Sequence, residues 1–151
     1  MHHYQDIRQL PYSPRQLFDL VIDIERYPEF LPWCRAARIL ERSEGRIVGE
    51  LIINFKHITE SYVSEVTFMQ PSSGMDDGSI DVKLVRGPFE NLENHWKFRP
   101  IDEKHSEISL DLSFKFRSRI LDSLIGLLFG KASVKMVNAF EKRAGDLYGK
   151  S

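Results

Sequence analysis

Residues 107–117 read E-I-S-L-D-L-S-F-K-F-R, and no other stretch restricts the fold more tightly. Ile108, Leu110, Leu112, Phe114 and Phe116 share one parity, and their neighbours Ser109, Asp111, Ser113, Lys115 and Arg117 are all polar. A period of two with this contrast is a β-strand with one dry face and one wet face, as antiparallel sheets carry. Directly after it, from Arg119 to Tyr148, the chain runs without a proline and the period becomes helical. About 30 residues of helix span roughly 45 Å. A one-sided sheet followed by one long helix must bury the first against the second.

Other stretches repeat the strand pattern. Leu51, Ile53 and Phe55 alternate with Glu50, Ile52 and Asn54. Residues 58–68 are rich in β-branched and aromatic types. Ile80, Val82 and Leu84 share a parity, as do Leu92, Trp96 and Phe98, against polar Glu93, His95 and Lys97. Pro71-Ser72-Ser73-Gly74, Asp77-Gly78 and Gly87-Pro88 punctuate the strands. Earlier, Ser13-Pro14 opens a helix as cap and first residue. Leu17, Leu20, Val21 and Ile24 continue it, and Pro28 is expected to end it. The order is strand, short helices, about six strands, long helix. Helices segregated from a run of strands argue α+β. The chain of 151 residues fits one domain, 1–151.

Composition excludes several classes. Lys+Arg at 21 against Asp+Glu at 22 gives no reason to expect DNA as partner. One cysteine, Cys34, forbids an intrachain disulfide and fits a reducing compartment. No apolar run is long enough to span a membrane. The five histidines have no metal-ligand spacing, no phosphate-binding or nucleophile motif is present, and Cys34 has no evident base. No catalytic residue, metal or cofactor is expected, and Cys34 reads as a small buried apolar group.

Two features go beyond a packed core. In the first half of the long helix, Ile120, Leu121, Leu124, Ile125, Leu127, Leu128 and Phe129 go nearly all round. A helix on a sheet needs one apolar stripe, so the surplus must meet a ligand, a partner or a lipid surface. Gly126 and Gly130 in this half either admit a close approach or loosen the helix. The second feature is Tyr27-Pro28-Glu29-Phe30-Leu31-Pro32-Trp33-Cys34, a short, apolar, proline-stiffened segment. It serves as a lid, a membrane-contacting loop or a plug.

Y-P-E-F-L-P-W-C at 27–34, V-R-G-P-F-E-N-L at 85–92 and W-K-F at 96–98 resemble the coenzyme Q-binding START-domain family. That family belongs to the polyketide cyclase/dehydrase and lipid-transport superfamily. The resemblance spans essentially the whole chain. It implies a helix-grip fold: a curved antiparallel sheet of six or seven strands around the C-terminal helix, with a tunnel between. It also implies a non-enzymatic protein that binds ubiquinone or a related isoprenoid lipid and delivers it for respiratory electron transport. Such a protein works at the cytoplasmic face of a bacterial inner membrane, in transient contact with it. The expected ligand contacts are Phe55, Tyr62, Phe68, Leu84, Trp96, Phe98, Phe114, Leu124 and Leu128. The Tyr62 hydroxyl or the Trp96 indole N–H is expected to meet a quinone oxygen. The expected lid or membrane contacts are Tyr27, Phe30, Leu31, Trp33, Leu127 and Phe129. A close branch of the same family comprises ribosome-association toxins, which implies the large ribosomal subunit as an alternative partner.

Overall fold

The computed structural model describes residues 2–55, 58–72 and 76–149, without the side chain of Phe55. Among the described residues, seven antiparallel strands form one sheet: β1 His2–Leu10, β2 Cys34–Ser43, β3 Arg46–Phe55, β4 Ile58–Met69, β5 Gly78–Arg86, β6 Phe89–Pro100 and β7 Ser106–Phe116. Their spatial order is β1-β7-β6-β5-β4-β3-β2, so only β1 leaves the meander, pairing with β7. Bulges at Cys34/Ala36 and Ile39/Glu41 in β2, Val63/Ser64 between β4 and β5, and Phe89/Asn91 in β6 add bend and twist. The curved sheet holds helix α2, Arg119–Tyr148, whose bounds are those read from the sequence. The fold is the expected α+β helix-grip arrangement.

Helix α1, Pro14–Ile22, starts with a capping box in which Ser13 and Gln16 satisfy each other's backbone N–H groups. It buries Leu17, Phe18, Leu20 and Val21. The helix stops earlier than Pro28 predicts. The chain leaves it at Asp23 and makes a separate 3-10 turn, Ile24–Glu29, with Pro28 inside. The Tyr27 hydroxyl donates to the Val21 carbonyl, one of the acceptors left over at a helix end. The turn therefore closes α1 and turns the opening motif toward the core.

On β7 every residue of the dry parity is buried, as the alternation requires. The second half of α2 buries Ser133, Met136, Val137, Phe140 and Ala144. Leu147 is half exposed. Tyr148 packs instead, its hydroxyl donating to the Gln16 carbonyl at 2.8 Å. The first half of α2 buries no residue fully. Gly126 is a close approach: a Cβ there would stand 2.7 Å from the His2 ring. Gly130 has nothing within 4 Å of a Cβ, so only Gly126 has a packing reason. Among the described residues, no helix is long and apolar enough to cross a membrane.

Candidate ligand-binding cavity

Between the sheet and the first half of α2 lies a cavity of about 140 Å³. Phe89, Leu92, Phe114 and Phe116 form its sheet wall, and Ile125, Leu128 and Phe129 form its helix wall. A second cavity of about 70 Å³ continues toward α1 and shares Trp33, Tyr62, Asn94 and Met136 with the first. The wall is built of edge-to-face and stacked rings. Phe89 stacks on Phe116 at 4.5 Å and meets Tyr62 at 5.2 Å, and Phe114 meets Phe129 at 4.9 Å. The strands supply alternate inward rings, and α2 closes over them.

The expected contacts divide. Tyr62, Phe114 and Leu128 line the larger cavity, and Trp96 and Tyr62 line the smaller. Phe98 is fully buried against Phe18 and beside Trp96, and Phe68 also packs on Phe18. Neither ring borders these two cavities, and nor does half-buried Leu84. Leu124 is 42% exposed and sits on the outer face of α2 with Ile120 and Leu127. The helical turn puts Ile125, Leu128 and Phe129 inside instead. The Phe55 side chain lies outside the described part of the structure.

The 27–34 segment is more deeply placed than a membrane loop allows. Leu31 is 3% exposed and lines the smaller cavity with Tyr27. Tyr27 and Phe30 meet Phe140 edge-on at 5.5 and 5.2 Å, and Trp33 borders both cavities. Arg143 lies 5.2 Å over the Phe30 ring and pairs with Glu29 at 2.8 Å. Leu31 therefore cannot face a bilayer in this conformation. The reason is the 3-10 turn, which rolls the apolar side of the segment onto α2. The strongly exposed large apolar residues of α2 are Ile120 at 84% and Leu127 at 85%. Phe129, expected at the mouth, points inward.

Among the described residues, Trp33 Nε1 and Asn94 Oδ1 are buried without a hydrogen-bond partner, and both residues line both cavities. Asn94 lies on the parity of Leu92, Trp96 and Phe98, so its inward position was readable from alternation. Burial pushes the Tyr62 hydroxyl well above its ordinary range, so it stays neutral. Burial also pushes the Cys34 thiol up to about 11, far from a nucleophilic thiolate at neutral pH. Among the described residues, no cluster of His, Cys, Asp or Glu suits a metal ion.

One polar clasp fixes the helix over the larger cavity. Asp122 Oδ1 accepts the Phe116 N–H at 2.9 Å and lies 3.0 Å from His2 Nε2. The first turn of α2 is thus tied to the end of β7 and the start of β1. Burial raises the Asp122 carboxyl, but the Phe116 N–H and His2 outweigh it and hold it below its ordinary 3.8. A depressed carboxyl contributes stability that is present above its ordinary value and lost as pH falls through the folded one. Asp122→Ala is expected to cost about 1.5–3 kcal/mol at pH 7. The gap from wild type should shrink below about pH 4 in denaturant titrations, and a gap independent of pH would contradict this role.

Comparisons with known proteins agree with the geometry. The chain is 43% identical over 147 residues to a Rickettsia prowazekii protein named ribosome association toxin RatA, covering 97% of this chain and 99% of that one. It is 33% identical over 150 residues to the Xenopus laevis coenzyme Q-binding protein COQ10 homolog B, mitochondrial, covering 97% of this chain and 59% of that protein. The solution structure of an 18 kDa Caulobacter crescentus protein superposes with a TM-score of 0.76 at 32% identity, covering 99% of this chain and all of that one. Residues 10–141 match the family model described as polyketide cyclase / dehydrase and lipid transport, and the chain belongs to that family.

Proposed function

We propose that this chain, as one START-like unit over 1–151, binds a hydrophobic ring-bearing lipid between the sheet and α2. Ubiquinone or a related isoprenoid quinone is the leading candidate. The observation that carries the reading is the aromatic-walled cavity beneath the part of α2 that packs least deeply. About 140 Å³ accommodates a group near the size of benzene, and a whole drug-sized ligand needs about 300–1,000 Å³. Uptake therefore requires the first half of α2 to swing away from β1 and β7, releasing the Asp122 clasp. The same motion admits an isoprenoid tail, whose burial contributes about 25 cal/mol per Å².

The reading is of a carrier and not an enzyme. Burial holds the Tyr27 and Tyr62 hydroxyls at the cavities and the Cys34 thiol beside them in their protonated forms. The carrier is expected to work at the cytoplasmic face of the inner membrane, supplying quinone for respiratory electron transport. Membrane contact falls to the outer stripe Ile120, Leu124 and Leu127, flanked by Arg119. Such an amphipathic stripe with a cation suits an anionic interface. The test is a short-chain ubiquinone titration followed by tryptophan fluorescence, since Trp33 borders the cavity. Wild type should quench saturably. Ala132→Phe, which places a ring in the larger cavity, should not. Equal quenching by both would sink the cavity as the site.

Association with the large ribosomal subunit is the second reading. The observation in its favour is the name carried by the relative at 43% identity. Against it stands the outer sheet face, where Arg38, Arg46 and Arg99 pair with Glu50, Glu65 and Glu107 at 2.6–2.7 Å. Paired arginines release few counterions from a polyanion.

A further inference from the structure

The cavity is apolar except at a few points, and two of them are left unpaired. Among the described residues, Trp33 Nε1 and Asn94 Oδ1 have no hydrogen-bond partner although both atoms are buried. They come from separate elements: Trp33 from the link between the 3-10 turn and β2, Asn94 from the dry face of β6. Both residues border both cavities. An indole N–H can only donate, and an amide oxygen can only accept. Leaving each one buried and unpaired costs about 1–3 kcal/mol, which a phenylalanine or leucine would avoid. Phe89, Leu92, Leu112 and Phe114 show that the same wall takes such residues readily. One unpaired donor and one unpaired acceptor at one apolar cavity match a ligand that brings the complement of each.

We propose that the cavity selects a hydroxyl-bearing aromatic ring, of the phenol or hydroquinone class. The ligand oxygen accepts from Trp33 Nε1, and a ligand O–H donates to Asn94 Oδ1. The proposal rests on the reading of the cavity as a ligand site and adds the chemical form that it takes. An oxidised quinone ring offers only acceptors. It satisfies Trp33 and leaves Asn94 Oδ1 as it was. The reduced ring satisfies both. Wherever both forms are present, the protein therefore holds the reduced one.

The test is calorimetric titration of the full chain with 4-pentylphenol and with pentylbenzene. Pentylbenzene is the smaller and more hydrophobic probe, so a preference for the phenol comes from hydrogen bonds. Wild type should bind the phenol about tenfold more tightly, the factor one added hydrogen bond of ordinary strength supplies. Trp33→Phe and Asn94→Leu should each lower that ratio, since each removes one of the two bonds, and the double variant should bring it close to one. Asn94→Leu removes an unpaired polar atom and should fold at least as stably as wild type, so it carries the test if Trp33→Phe does not fold. Equal binding of the two probes by wild type would overturn the selectivity and leave the cavity as a ligand site. A preference left undiminished by Asn94→Leu would also overturn it. Binding of neither probe would overturn both the selectivity and the ligand-site reading beneath it.

Discussion

Phe140→Ala is expected to lower stability by about 3–5 kcal/mol, the cost of emptying a buried aromatic site. Phe140 is 4% exposed and is the point on which Tyr27, Phe30 and Trp96 converge, all with centroids within 5.5 Å. Removing it takes away the floor under the 27–34 segment and the contact between that segment and the deep half of α2. With marginal total stability of about 5–15 kcal/mol, a loss of this size is a large part of the whole. The melting temperature should fall by about 10 °C or more for a chain of this length. Thermal unfolding by circular dichroism reads it directly. A change below about 1 kcal/mol would show that the segment is a loose lid and does not anchor the core.

The double substitution Ile120→Asp and Leu127→Asp is expected to remove vesicle binding and leave the fold untouched. Both side chains are more than four-fifths exposed, so the core loses nothing. Each inserted side chain contributes about 1.5–3 kcal/mol at an interface. Losing two should lower partitioning onto anionic vesicles by about a hundredfold or more. Flotation with vesicles of one-third phosphatidylglycerol measures the partitioning, and thermal unfolding controls for the fold. Unchanged flotation would rule out the outer stripe of α2 as the membrane contact. The comparable change at Phe30 and Leu31 would be uninformative, because a charge at buried Leu31 damages the core itself.

Much of this architecture is legible because it rests on local periods. The alternation at 107–117 fixes a dry face, and β7 buries Ile108 through Phe116 on that parity. The proline-free stretch from Arg119 gives the bounds of α2. The resemblance in the Y-P-E-F-L-P-W-C segment gives the fold. The site is less legible, for specific reasons. A helix that is apolar all round does not announce which side the sheet takes. Leu124 and Phe129 therefore lie on the opposite sides of the helix from those expected. Facing pairs such as Phe89 and Phe116 depend on strand register between β6 and β7, which parity leaves open. Pro28 marks a break, but the turn that turns Leu31 inward depends on Tyr27 reaching Val21 and Phe140. Asn94 was within reach of the alternation argument. Its parity sets it among Leu92, Trp96 and Phe98 as a polar residue on a dry face. That the Trp33 N–H joins it is a tertiary fact.

The measurement that bears most directly on a lipid carrier is solvent extraction of the protein purified from a quinone-producing bacterial host, with mass spectrometry of the extract. The expected result is an isoprenoid quinone near one equivalent per chain, lost in Ala132→Phe. A clean extract that stays clean after incubation with added quinone, together with co-sedimentation of the protein with large ribosomal subunits, would contradict the carrier account and place the function on the ribosome.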